Sequence, residues 1–311
     1  MVHLSMEVSD MKKFLIRIAI FFAIVAVVDF SLGKLLHYVQ STAGGRTCAE
    51  YYVCEKSTED VIIMGSSRAS HHYVPEIISE KLGMSCFNAG QDGNGIILQY
   101  GRWKMISKRT VPKLLIYDIS TDFDLAENDN MKYVDRLKPF SGHSIVRNYV
   151  ACIFPMEEMK MISKMYCYNY KCIEMVSDCI RRGDAVSKTG YLPLYGNIRK
   201  EIVNNKNNNL ECSVKLDAEK IYYLEQLVKE TKETGTELLF VVSPYWKGYG
   251  YSEETYSYIK ELSKSYDVPF IEYIGSDICN NSTFWEDSYH LNDRGARVFT
   301  EDFCQRIAVK I

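Results

Sequence analysis

The chain contains no Cys-x-x-Cys pair and no histidine-rich tract, although it carries ten cysteines and six histidines. Structural zinc sites draw on closely spaced ligands of that kind, so the pattern argues against a metal centre. A basic excess is also missing: 37 lysines and arginines face 40 aspartates and glutamates, for a net charge of −3. Without surplus cations to neutralise phosphates, nucleic acid is excluded as the main partner. The glycine-bearing stretch Gly90-Gln91-Asp92-Gly93-Asn94-Gly95 is not followed by Gly-Lys-Ser/Thr, which disfavours a phosphate loop. No internal repeat is present.

What is there suits a globular protein, with 47% apolar and 25% charged residues in 311. That length holds one large α/β domain, or a domain plus an insertion. The 23 tyrosines fit a polar, aromatic-lined surface such as carbohydrate sites often have.

From Phe14 to Val28 only Arg17 interrupts an apolar run, and Leu32, Leu35 and Leu36 extend it past Asp29. About 20 mostly apolar residues cross a bilayer, and residues 14–36 supply them. Lys12, Lys13 and Arg17 favour a cytoplasmic N-terminus. The expected order is a cytoplasmic tail (1–13), a transmembrane anchor (14–36), a connector (37–59, with a polar run from Gly45 to Glu59) and an extracytoplasmic domain (60–311). A cleaved signal peptide competes with the anchor, with Ser41-Thr42-Ala43 as the nearest weak cleavage site; a buried helix of the soluble domain is the third reading. An exported domain permits disulfides, for which Cys48/Cys54 and Cys167/Cys172 are local pairs. Cys86 reads as a small core residue.

Strand and helix signals then alternate. Strands are expected at Val61–Met64, Met84–Asn88, Leu114–Ile119, Leu238–Val242 and Pro269–Tyr273. Helices are expected at Val74–Leu82, Ile96–Ser107, Ala218–Glu233 (capped by Asp217), Glu253–Tyr266 and Asn292–Ile307. Apolar strands separated by helices imply a doubly wound, flavodoxin-like parallel sheet of about five strands, with its site at the carboxyl ends. The alternation breaks between Asp124 and Leu216. The predicted helical insertion, 125–215, reads as a lid or substrate wall, with the Asn-rich run 204–209 as a solvated loop.

Two segments carry chemistry. Val61-Ile62-Ile63-Met64-Gly65-Ser66-Ser67-Arg68 runs from an apolar strand into hydroxyl residues, and Asp287-Ser288-Tyr289-His290 sets a carboxylate three residues before a histidine. Together they hold the parts of a nucleophilic triad: Ser67 as nucleophile, His290 as base and Asp287 as orienting acid. Gly-Ser junctions also serve as helix caps or anion nests, and an Asp-x-x-His loop can be plain surface. The glycines after Asn88-Ala89 let backbone N–H groups approach an oxyanion, or simply serve positive φ.

These blocks resemble those of the SGNH/GDSL hydrolase superfamily over roughly residues 60–124 and 235–308. Gly65-Ser66-Ser67-Arg68 corresponds to the first block, Asn88-Ala89-x-x-x-Gly93 to the second and Asp287-x-x-His290-Leu291-Asn292 to the last. The resemblance implies that Ser67 is acylated and that the Ser67 and Gly93 N–H groups hold the oxyanion. It implies no metal or organic cofactor. The third block departs, because Ile119-Ser120-Thr121-Asp122 stands where the family has Gly-x-Asn-Asp; Thr121 takes the place of the oxyanion asparagine with a hydroxyl of shorter reach, and Asn94 or an insertion residue is the alternative third donor. An α/β-hydrolase elbow fits less well, since its serine follows several strands and its acid is far from its histidine. The expected activity is that of a serine esterase or O-acyltransferase on acylated carbohydrate or another small ester at the cell surface. The alternative is a non-catalytic scaffold or glycan-binding protein.

Overall fold

A computed structural model of the chain describes residues 8–181, 188–204, 212–248 and 250–308. The Asn-rich run lies, after Asn204, outside them. Five strands form one all-parallel sheet: β1 (Val61–Gly65), β2 (Cys86–Asn88), β3 (Leu114–Asp118), β4 (Glu237–Val242) and β5 (Phe270–Glu272), in the order β2-β1-β3-β4-β5. The central strands carry unbroken apolar runs, Val61–Met64, Leu114–Tyr117 and Leu238–Val242, because helices cover both faces. Ile62 and Met64 point into one core with Leu115, Tyr117, Phe240 and Val242; Val61 and Ile63 point into the other with Leu114, Ile116, Leu239 and Val241. The mixed α/β architecture with a five-stranded parallel sheet is as expected. Between β1 and β3 the winding reverses direction, which opens a crevice at their carboxyl ends.

Helix boundaries follow local chemistry. Pro75 opens the helix Pro75–Leu82, and Gly83 ends it at φ 66°. Asp217 caps Ala218–Thr234 by accepting from the Glu219 and Lys220 N–H groups, and Gly235 closes it at φ 79°. Ile96–Arg109, Glu253–Tyr266 and Asp293–Ala308 complete the layers. The segment expected as a polar connector is instead helical over Gly45–Glu55. Its inward stripe is Thr47, Glu50, Val53 and Cys54, so two of its four buried positions are polar and hide the periodicity. Buried Glu50 faces three cations, Arg102 (3.5 Å), Arg136 (3.6 Å) and Lys171.

The insertion holds short helices, among them Ser144–Ile153, Pro155–Lys160 and Cys172–Arg181. Its ends meet, since Ala126 and Leu216 form an antiparallel bridge. At the N-terminus a 35-residue helix spans Val8–Thr42. Within it, Asp10–Thr42 has a mean hydropathy of 2.4 in its most apolar window, and none of that window is covered by protein. Its length and composition suit a membrane span, and a signal sequence meets the same test.

Both expected cysteine pairings are corrected: all ten thiols are free. Cys48 and Cys54 lie six residues apart on one helix, about 9 Å along its axis, beyond disulfide reach. Cys172 Sγ instead donates to the Tyr168 carbonyl and Cys167 Sγ to that of Ser163, both local backbone partners.

Candidate active site

β1 ends at Gly65, whose φ is 146°. A Cβ there would lie 2.5 Å from the Asp118 carbonyl oxygen and 2.9 Å from Ala69 Cβ, so only glycine lets the strand turn this tightly into the helix Ser67–His72. The turn separates two adjacent hydroxyls. Ser66 is buried and its Oγ lies 2.5 Å from Ser120 Oγ beyond β3. Ser67 Oγ faces outward and lies 2.8 Å from His290 Nε2.

His290 and Asp287 share a loop before the last helix. Asp287 Oδ1 accepts from the Tyr289 and His290 N–H groups (2.7 and 2.8 Å), while His290 Nδ1 lies 2.9 Å from Oδ2 and 3.1 Å from Oδ1. A carboxylate only accepts, so the Nδ1 proton faces Asp287 and Nε2 is left to accept from Ser67. Burial opposes ionisation of Asp287, but His290 and the two backbone donors outweigh it and hold the carboxyl below its ordinary range. The loop is pinned: Trp285 bridges Leu291, and the Asn292 side-chain amide donates to the Thr283 and Gly196 carbonyls.

The glycine loop packs on the helix Ser67–His72. A Cβ on Gly90 would collide with the Ser70 backbone nitrogen, and Gly93 takes φ 65°. Among the described residues, the N–H groups of Ser67 and Gly93 meet no protein acceptor. Asn94 spends its side-chain amide on the Asp92 carbonyl (2.8 Å). Thr121 is fully buried; its N–H and hydroxyl engage Tyr245 Oη (2.7 and 3.1 Å), and its oxygen accepts from the Ser252 N–H. The side chain is thus committed away from the crevice, and the expected third donor position is occupied by internal bonding.

Several residues around the site were not foreseen. Leu291 N–H donates to His72 Nε2 (3.1 Å), His72 Nδ1 meets Ser243 Oγ (3.1 Å), and Ser243 Oγ donates to Asp118 Oδ2 (2.9 Å). Burial and neighbouring Arg68 hold His72 well below the usual imidazole range, so it remains the neutral acceptor that Leu291 requires. Arg68 itself is buried, stacks 3.5 Å over the Tyr245 ring and donates to the Pro244 carbonyl (2.7 Å). Burial raises Asp118, with Arg68 pulling the other way. His71 sets its ring 5.1 Å from that of His290, with Nε2 3.3 Å from Asp92 and Nδ1 2.7 Å from the Leu192 carbonyl. The local signal was the His71-His72 pair one turn after Ser67; their partners lie far along the chain. The insertion contributes here too, since Leu192 N–H donates to the Ser70 carbonyl, and Tyr191 is buried with its hydroxyl 3.1 Å from Asp293.

Among the described residues, no group of three or more histidine, cysteine, aspartate or glutamate side chains could hold a metal ion. The arrangement can withdraw a proton from Ser67 and stabilise the resulting imidazolium on Asp287.

No family model and no curated protein matches the chain. Among solved structures, a Bacteroides fragilis chain described as a "putative acylhydrolase" is similar over 84% of this chain and 94% of its own, at 10% identity and a TM-score of 0.40. Similarity at that level carries no argument about activity.

Proposed function

We propose that the protein is a serine esterase or O-acyltransferase of SGNH type, anchored by its N-terminal helix, acting outside the cytoplasm on acyl esters of cell-surface glycans. One observation carries the reading: Ser67 Oγ, His290 Nε2, His290 Nδ1 and Asp287 form a continuous hydrogen-bonded line at 2.8 and 2.9 Å. His290 takes the Ser67 proton as Oγ attacks the ester carbonyl, and the oxyanion is held by the Ser67 and Gly93 N–H groups. The imidazolium returns that proton to the leaving alcohol, and an acyl-serine remains. His290 then deprotonates water or a sugar hydroxyl, which attacks the acyl carbon, and the proton passes back to Ser67. Water gives hydrolysis; a sugar gives transfer.

The glycan part rests on the aromatic surroundings. Tyr289 is 37% exposed with its ring 6.2 Å from that of His290, and Tyr195, 80% exposed, adjoins Gly196, which packs on Glu286. Such rings suit stacking against sugar faces.

A fluorophosphonate probe tests the nucleophile. Labelling is expected in the parent and in Ser66→Ala and absent in Ser67→Ala; labelling that survives Ser67→Ala refutes the assignment. The internal bonding of Thr121 favours a second reading, a glycan-binding scaffold without turnover, because a missing oxyanion donor costs about 3–4 kcal/mol of transition-state stabilisation. That reading predicts no labelling of folded parent. Acceptor-dependent turnover of an acetyl ester separates transfer from hydrolysis.

A further inference from the structure

The insertion exposes apolar side chains in two places. Met156, Met159, Ile162 and Met165 are 64, 67, 77 and 41% exposed around the end of the helix Pro155–Lys160, and Ile173 and Val176 are exposed on the helix Cys172–Arg181. The first group is fixed to the long N-terminal helix at a definite height. Asp29 on that helix accepts from Ser163 Oγ (2.6 Å) and from the N–H groups of Lys164 (2.7 Å) and Met165 (3.1 Å). One turn later Gly33 leaves room for Lys164, and a Cβ there would collide with the lysine side chain.

Counting along the helix places that contact relative to a bilayer. The hydrocarbon layer is about 30 Å thick and an α-helix rises about 1.5 Å per residue, so about 20 residues cross it. Starting at Phe14, directly after Lys12 and Lys13, the twentieth residue is Gly33. Asp29 then lies about 6 Å inside the boundary, where a bare carboxylate is costly; the three donors from the insertion satisfy it. Starting after Arg17, at Ile18, moves the boundary to His37 and seats the insertion deeper. The segment carrying Met159, Ile162 and Met165 is therefore held where acyl chains meet headgroups. Exposed methionine and isoleucine side chains there leave water for lipid. The second group sits higher: Asp178 on its helix accepts from the Thr47 N–H (2.9 Å), past the end of the long helix at Thr42.

We infer that residues 155–165 form a second membrane contact, an interfacial segment whose apolar side chains dip into the leaflet beside the N-terminal helix. This rests on the reading of that helix as a membrane span. A single span leaves the attached domain free to swing; a span plus an adjoining interfacial segment fixes the height and tilt of the catalytic crevice above the lipid surface.

The test uses the full chain in phosphatidylcholine vesicles, with and without lipid brominated on the upper acyl chain, which quenches nearby tryptophan. All three native tryptophans are buried and give the baseline. Ile162→Trp and Met159→Trp add reporters at exposed positions, and Phe21→Trp reports on the span. The added emission at Phe21, Ile162 and Met159 is each expected to fall by about half or more in brominated vesicles. Loss at Phe21 with full emission retained at 162 and 159 overturns the second contact and leaves the span standing. Full emission at all three overturns the span itself, and this inference with it.

Discussion

Replacing Asp287 with asparagine isolates what the carboxylate does. Oδ1 of Asp287 accepts from the N–H groups of Tyr289 and His290, and Oδ2 is the nearer partner of His290 Nδ1 at 2.9 Å. An asparagine whose carbonyl oxygen occupies the Oδ1 position keeps both backbone bonds, so the loop is retained. Its NH2 group then replaces Oδ2 and points a donor at Nδ1. The ring answers by placing its proton on Nε2, and that nitrogen no longer accepts from Ser67. The expected loss in kcat/KM toward p-nitrophenyl acetate is about a thousand- to ten-thousandfold, or about 4–5.5 kcal/mol at about 1.4 kcal/mol per decade. Fluorophosphonate labelling should slow in parallel. The unfolding free energy should change by only about 1 kcal/mol, the size of one exchanged hydrogen bond. A variant that stays folded and keeps activity within about tenfold of the parent would refute the reasoning, because the tautomer argument allows no such survival.

His72→Phe keeps a ring between Trp285 and Phe299 but leaves the Leu291 N–H without its acceptor; it should cost about 1–3 kcal/mol of stability and lower kcat more than it changes KM, read by urea melts and steady-state kinetics. Asp124 is buried, and burial pushes its carboxyl up to about 7, against the opposing pull of the Ile96 N–H and nearby Lys220. The folded chain therefore binds this proton more tightly than the unfolded one, so the group's contribution falls as pH rises from about 4 to about 7, by about 4 kcal/mol in all. Asp124→Asn should remove that slope, and urea midpoints that differ from the parent by a constant amount across the window would count against it.

The legible part of this chain is the part whose local sequence matches its surroundings. β1 and β3 are buried on both faces, so Val61–Met64 and Leu114–Tyr117 are unbroken apolar runs. Asp217 and Gly235 bracket their helix with chemistry that acts within four residues. Gly45–Glu55 was illegible because the partners of its buried Glu50 are Arg102, Arg136 and Lys171, 52 to 121 positions away. The same distinction runs through the candidate site. Ser67, Asp287 and His290 stand out because a hydroxyl at a strand end and an acid three residues before an imidazole are local patterns. Thr121 shows the limit of that kind of reading. Its position beyond β3 says that a hydroxyl is available, but Tyr245, 124 residues later, takes up its hydrogen-bonding capacity. The relay from Leu291 through His72 and Ser243 to Asp118 likewise joins four separate segments. Donors and acceptors that complete a site from across the sheet leave no spacing to detect. They become visible only when the register β1-β3-β4 sets Gly65 opposite Asp118 and Asp118 opposite Val241, two residues before Ser243. The sheet register is thus the physical link between a motif that can be recognised in one segment and the residues elsewhere that hold it in place.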